Sequence, residues 1–321
     1  MTTKRVVHVG DVARVASELV RGINEFTPWE AVHVPVPVPP PADSRLRRAG
    51  QLAERVARLL GPVSRQITAA EPDVVHIHWA QNAPWVRAGA KPVVVHVHGS
   101  DVRFRSSSLA FRPVEWALRR ADLIQVVTPD LLAYVPNGAT VAPNPVDTRF
   151  WAPRARTGDG RVLIHARLSP IKGGTSLVDA GAQLVSAGIE VRSFAGGEYD
   201  DEARSVGVTL LPKSDKAGVR EEILQADVVI GQARLGILSL SELEAMACER
   251  PVVMPFDWRS VPDVPVASVS AGEEIAERVL ALLRHPEEAE ELGRRGRRYV
   301  VDRHDLAAVA RRLVCSYEGL T

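Results

Sequence analysis

Short runs of β-branched residues alternate along this chain with longer stretches of helical period, and that alternation leaves few folds open. RVVHV (5–9), AVHVPVPV (31–38), DVVHIHW (73–79), PVVVHVH (92–98) and LIQVVT (123–128) read as strands, the third and fourth rich in β-branched residues. VARVASELVRGINEF, SRLRRAGQLAERVARLL and FRPVEWALRRA, set between them, read as helices. The prolines of the second run place it at a sheet edge, and PVPVPPPAD (35–43) reads as a stiff loop. VAPNPVDTRFWAP (141–153) reads as a connection between domains, after which the pattern restarts. RVLIHA, EVRSFAGG, VTLLP, DVVIGQ and PVVM are the second set of strands, and helices follow near 272–284, 286–299 and 304–318. Strands alternating with helices imply parallel sheets covered on both faces. Two such series in 321 residues predict an α/β chain of two doubly wound domains facing each other. In such sheets ligands sit at the carboxyl ends of the strands.

The bulk numbers exclude several classes. A net charge of +1 argues against bulk nucleic-acid binding, although the N-terminal half is mildly basic and the rest mildly acidic. Cys248 and Cys315 show no metal-ligand spacing, so free thiols in a reducing, cytoplasmic setting are expected. The sequence enters a strand at once with no signal-peptide h-region, and no apolar run is long enough to span a bilayer. The Arg-rich amphipathic stretch 44–65 reads as a solvated helix face or as a weak peripheral membrane contact, and RRGRR (294–298) as solvated surface.

Two stretches carry chemistry. HARLSPIKGG (165–174) sets Arg167 and Lys172 around a proline turn where a strand hands over to a helix. A planar guanidinium, a compact ammonium and two glycines at a helix start suit a phosphate, and a solvated turn with two surface cations is the alternative. LGILSLSELEAMACERPVV (235–253) reads as a loop, a helix start and a buried strand. Ser239 with Glu242, or Ser241 with Glu244, fits a capping box. The competing reading aims the helix N-terminus at an anion and leaves Glu244 to accept from vicinal hydroxyls.

These stretches resemble known motifs. HARLSPIKGG is similar to the GRLSPEKG signature of glycosyltransferase family 4, retaining nucleotide-sugar enzymes of the GT-B fold, and LSELEAMACERPVV to that family's LLEAMACGKPVV. VAPNPVDTRFWAP resembles its domain junction IPNGVDTERF, and VVVHVHGSDVR its strand-end histidine segment. The resemblance spans about residues 5 to 318. It implies two Rossmann-like domains facing across a cleft: an acceptor domain over 1–152, a nucleotide-sugar domain over 153–302, and a last helix, 303–321, crossing back to the first. Arg167 and Lys172 match the cations that hold the donor diphosphate, and Glu244 the carboxylate on the ribose hydroxyls. Ser239, Leu240 and Ser241 match the loop facing phosphate and sugar, Gly10 the glycine-bearing loop near the donor, and Lys213 falls where the base is recognised. His98 matches the active-site histidine, so His98, Arg167 and Lys172 are the catalytic candidates.

Acceptor contacts are expected from His78, Trp79, Asn82, Asp101 and Arg103, with Trp79 a stacking platform or a buried core residue. His76 and His96 fall on the packed face of the sheet by alternation and read as structural. The resemblance implies sugar transfer to a hydroxyl with retention, without metal or cofactor, the nucleoside diphosphate sugar being a co-substrate. UDP is the expected carrier, with GDP and dTDP open, and the acceptor class is open too, a modified nucleic-acid base included. One position departs from the pattern: Gly236 stands where the family usually has a first Glu that contacts the donor sugar. That departure keeps two alternatives in play, a sugar-nucleotide epimerase on the same fold and a non-catalytic sugar-nucleotide-binding protein.

Overall fold

The computed structural model describes residues 3–37, 44–103, 111–156, 158–258, 261–270 and 274–321. The chain divides into two compact units, one running to Pro145 and joined by Leu306–Thr321, the other Val146–Asp305.

The first unit is built on a parallel sheet of β1 (Arg5–Val9), β2 (Glu30–Val34), β3 (Val74–His78), β4 (Val93–Val97), β5 (Leu123–Val126) and β6 (Thr140–Val141), in the order β2-β1-β3-β4-β5-β6. β2 is an edge strand, as its prolines predict, and it stops at Val34 because Pro35 has no N–H to continue the ladder. Most of the Pro-rich loop, 38–43, lies outside the described residues. The helices are α1 (Val15–Phe26), α2 (Arg45–Arg58), α3 (Ser64–Ala69), α4 (Arg112–Arg120) and the final helix α11 (Leu306–Glu318). A π-helical turn with Pro62 inside it, Leu59–Val63, joins α2 to α3.

Alternation assigns the two faces of this sheet. Val7, Val9, Val75 and Ile77 pack on Leu59, Val63 and Ile67. Burying each such side chain contributes roughly 1.5–3 kcal/mol. The residues between them in sequence, His8, His76, His78 and His96, occupy the opposite face and are themselves buried. Here α11 covers the sheet: its Leu306 packs so closely on Gly22 of α1 that a Cβ there would lie 2.7 Å from Leu306 Cδ1. At its other end Tyr317 is fully buried against the histidines.

The second unit repeats the plan with β7 (Val162–Ile164), β8 (Val191–Phe194), β9 (Thr209–Leu211), β10 (Val228–Ile230), β11 (Val252–Pro255) and β12 (Ala267–Val269), in the order β12-β11-β10-β7-β8-β9. Its helices are α5 (Gly174–Ser186), α6 (Asp200–Ser205), α7 (Lys216–Gln225), α8 (Leu240–Ala247), α9 (Ile275–Arg284) and α10 (Pro286–His304). β12 is an addition to the strands read from sequence; three residues with one Ser carry too little periodicity to stand out. α10 runs five residues past its expected end at 299, through Val300 in the core to His304. Both sheets are parallel throughout and doubly wound, with strand order reversing between β1 and β3 and between β7 and β10. These reversals open crevices at the carboxyl ends of the strands, where such folds take ligands.

Candidate active site

In the second unit a pocket of about 350 Å³ opens at the carboxyl ends of β7, β8 and β9, with His165, Arg167, Phe194, Gly196, Lys213 and Ser241 on its wall. Arg167 and Lys213 are exposed and Lys172 is half-buried. Among the described residues none of these three cations has a side-chain partner. Elsewhere in this unit Arg154, Arg161, Arg192 and Arg204 pair with carboxylates. Uncompensated positive charge around one opening suits a polyanion.

The turn that carries two of them is built from short-range bonds. Lys172 N and Gly174 N both donate to Ser169 O, and Ala233 N donates to Lys172 O at 2.8 Å. Gly173 sits at φ +80°, and a Cβ there would lie 2.9 Å from the backbone of Ala233. A Cβ on Gly174 would clash with the Tyr199 ring. The glycine pair therefore lets the chain turn against Ala233 and Tyr199, and α5 starts at the second of the two.

The competition over the two glutamates of α8 is resolved in favour of Ser239 and Glu242, which form the capping box. Buried Glu242 accepts from Ser239 N at 2.7 Å and from Gln232 N at 2.8 Å. Glu244 is left outside the cap; its Oε2 lies 3.2 Å from His165 Nε2 and its side chain stays partly open. Leu240 and Ser241 open the helix, half-buried, in the first turn whose N–H groups have no acceptor within the helix. Sequence reading passed over His165, Phe194 and Gly196. Their signals were present: His165 lies two residues before Arg167, and the FAGG run places aromatic and glycines at the end of β8.

In the first unit Gly10 follows β1 at φ +77°, where a Cβ would lie 2.9 Å from Asn82 Nδ2. Asn82 is buried, donating to His78 O at 2.8 Å and accepting from Arg55 Nη2 at 2.7 Å. The Arg55 guanidinium stacks 4.4 Å from the Trp79 ring. Trp79 is half-buried and its backbone lies at φ +71°, strained for a residue with a side chain. Asp101 is buried and takes N–H bonds from Ala80 at 2.9 Å, His98 at 3.1 Å and Gly99 at 2.7 Å. Burial pushes its carboxyl up, opposed by those N–H groups. Arg103 pairs with Asp130 at 2.7 Å and donates to Thr128 Oγ1 at 3.0 Å. Asn82, Asp101 and Arg103 thus have internal partners that fix the loops around Trp79 and His98.

His98 caps a chain of buried rings. His98 Nε2 lies 3.1 Å from His78 Nδ1, and His78 Nε2 lies 2.9 Å from His8 Nδ1. The Tyr317 hydroxyl lies 3.4 Å from His8 Nε2 and 2.6 Å from His76 Nδ1, and His76 Nε2 lies 3.2 Å from His96 Nδ1. The strand register makes this possible, since His8 pairs with His76 and His78 with His96 across neighbouring strands. Burial pushes every one of the five imidazoles down, His8 to about 3 and His96 to about 4, so the rings are neutral. His76 and His96 lie on the packed face, as alternation predicts.

Two parallel doubly wound units, each with a crevice at its strand ends, define the class of α/β protein, and comparison with known families narrows it. Residues 10–150 match the sequence model of Glycosyltransferase Family 4, and residues 178–314 that of a glycosyl transferase-like family. The two halves of the chain thus carry glycosyltransferase domains, each model covering a little under half of its length. Solved structures share the fold. Sucrose-phosphate synthase from Thermosynechococcus elongatus is 16% identical, with 99% of each chain covered and a TM-score of 0.77. HepE of Anabaena, solved in complex with UDP-glucose, is 16% identical over 98% of this chain and 100% of its own, with a TM-score of 0.74. TarM of S. aureus is 14% identical over 82% of this chain and 59% of its own, with a TM-score of 0.65. Among curated proteins no sequence match is found.

Proposed function

We propose that this glycosyltransferase moves a sugar from UDP to a hydroxyl acceptor with retention at the anomeric carbon. The observation that carries the reading is the two unpaired cations Arg167 and Lys213 on the wall of the pocket at the ends of β7–β9, with unpaired Lys172 in the turn that follows Arg167. Charge builds on the nucleoside diphosphate as the glycosidic bond breaks, and fixed cations stabilise that leaving group. Arg167 and Lys172 are assigned to the diphosphate, with the first-turn N–H groups of Leu240 and Ser241 supporting them, Ser239 capping that turn, and Gly10 on the donor side of the other unit. Glu244, held by His165, is assigned to the ribose hydroxyls, and Lys213 to the base end. The cations supply the positive charge, so the transfer is proposed to run without a divalent ion. The N-terminal unit is assigned the acceptor, with His98 at the transferred sugar and Trp79 as the stacking surface. His78, Asn82, Asp101 and Arg103 support these two from behind. Attack from the face the diphosphate leaves fits the reading, the departing phosphate oxygen taking the acceptor proton. Solved structures of HepE with UDP and UDP-glucose support UDP as the carrier.

A thermal-shift and calorimetric panel of UDP, GDP, dTDP, UMP and uridine tests the donor. A ligand at 100 times its Kd adds about 2.7 kcal/mol of apparent stability. UDP is expected to raise Tm and uridine to raise it least. No shift with any diphosphate would sink the reading. The acceptor side is tested by product mass: a hexose added to an acceptor supports transfer, while an isomerised nucleotide sugar would assign an epimerase.

A further inference from the structure

The buried histidine chain offers more than the transfer reaction uses. Two groups of three imidazoles each bring one ring nitrogen per residue within 4.8 Å of the others: His8 with His76 and His78, and His78 with His96 and His98. Chemistry separates them. In the first group the rings are nearly parallel, at 13–26°, so their in-plane lone pairs run side by side and do not converge. Both nitrogens of His8 and of His76 are also engaged, with His78, Tyr317 and His96. All three rings are fully buried.

The second group differs on each point. Its rings are tilted by 32–37° from one another. His96 Nε2 is buried and makes no hydrogen bond of good geometry, the ring's other contact being with the backbone of Ala142, while His96 Nδ1 is held by His76. His78 Nε2 is held by His8, which leaves Nδ1 facing His98 Nε2 at 3.1 Å. His98 is half-buried and gives access from outside. Two of the three candidate ligands therefore already make, through their far nitrogen, the outer hydrogen bond that fixes the tautomer of a metal-bound imidazole. Those two bonds lead through His8 and His76 to one oxygen, the Tyr317 hydroxyl, whose lone pairs can take both.

We propose that His78 Nδ1, His96 Nε2 and His98 Nε2 form a binding site for one divalent transition cation of the kind that prefers imidazole, with zinc as the probe. Three nitrogens at ~2.0–2.1 Å from a tetrahedral ion lie about 3.4 Å apart; here His78 Nδ1 and His98 Nε2 are 3.1 Å apart, and one nitrogen of each of the three rings lies within 4.8 Å of the others. A water entering past His98 completes four-coordination. Neutral all-histidine donor sets suit zinc, cobalt, nickel and copper, and exclude magnesium and calcium, which take oxygen. On the function proposed above, a bound cation takes up the imidazole assigned to the sugar and so switches transfer off; the site itself does not depend on that reading.

The test uses the full chain freed of metal by chelator. Added Co²⁺ should give the visible absorption of a tetrahedral nitrogen-ligated ion, saturating at one equivalent, and one equivalent of Zn²⁺ should abolish it. His96→Gln and His98→Gln should each weaken Zn²⁺ by at least tenfold in calorimetry, while His285→Gln, an exposed histidine of the second unit, binds as the parent does. Unchanged far-UV dichroism, and UDP affinity where the parent shows any, certify that the variants are folded; His98, being half-buried, is the safer of the two. Absence of the cobalt band in the parent, or equal zinc affinity in parent and both variants, overturns the proposal. Failure of UDP to bind would overturn the donor reading and leave the cobalt result standing.

Discussion

Replacing Arg167 by Ala tests the proposed diphosphate contact apart from everything else the pocket does. Arg167 is exposed and pairs with no described residue, so its loss leaves no buried group unpaired. Surface changes of that kind move stability by about 0.5 kcal/mol or less. A hydrogen bond between a charged donor and a phosphate is worth about 1.5–3 kcal/mol. At 1.4 kcal/mol per tenfold, UDP should therefore bind roughly 10- to 150-fold more weakly, with Tm of the free protein unchanged. Uridine, which has the same base and ribose and no diphosphate, should bind the variant and the parent alike. Arg167→Lys keeps the charge and loses the fork, and should fall between them. Isothermal titration of both ligands against all three proteins decides the matter. A UDP Kd within twofold of the parent, or an equal loss for UDP and uridine, refutes the diphosphate role.

Other parts of the molecule carry expectations of their own. Burial pushes the Cys248 thiol up to about 12 while Cys315 is exposed, so a native chain should react with one equivalent of a thiol reagent and yield the second only in denaturant; equal rates for both would contradict the packing. His8 and His96, held down at about 3 and about 4, take up no proton in the folded state where the unfolded chain does at about 6.5. Stability is thus fully present above pH 6.5 and falls as the pH drops toward 4, by about 1.4 kcal/mol per pH unit for each ring; urea unfolding with chelator present should show that loss between pH 7 and 5.5, and a flat profile would refute it. Gly236→Glu forces a side chain into φ +63° and should lower stability by about 1–2 kcal/mol without restoring a sugar contact; a gain in donor affinity at unchanged Tm would refute this.

The doubly wound plan was legible because buried parallel strands leave a strong mark. Val74, Val75 and Ile77 of β3, or Val93–Val95 and Val97 of β4, are apolar on both faces, and only a sheet covered by helices on both sides asks for that. The short strand β12 and the last turns of α10 escaped, since three residues or one helix end carry little periodic signal. The histidine chain shows a deeper limit. Alternation assigns His76 and His96 to the packed face, yet the links from His78 to His8 and from Tyr317 to His76 join residues 70 and 241 positions apart. Only the strand order β1-β3-β4, fixed by the crossover between β1 and β3, brings those rings together.

The candidate donor site divides along the same line. Arg167, Lys172 and Ser241 sit within local motifs, and their setting at strand ends and helix starts follows from sequence; the partnership of His165 with Glu244, 79 positions apart, does not. Gly236 is the instructive case. As a letter it reads as a missing carboxylate. In the fold it is a left-handed position, its carbonyl accepting from Asp257 N at 2.9 Å and its missing Cβ 3.3 Å from Asp257. The backbone here is shaped for glycine, so reinstating a carboxylate would require the loop to move and not only a side chain to be added. On the function proposed above, the sugar end of the donor would then be recognised by groups already fixed elsewhere. Of the polar groups of α8 that the capping box leaves over, Glu244 beside His165 is assigned to the ribose, which leaves the Ser241 side chain on the pocket wall for that task.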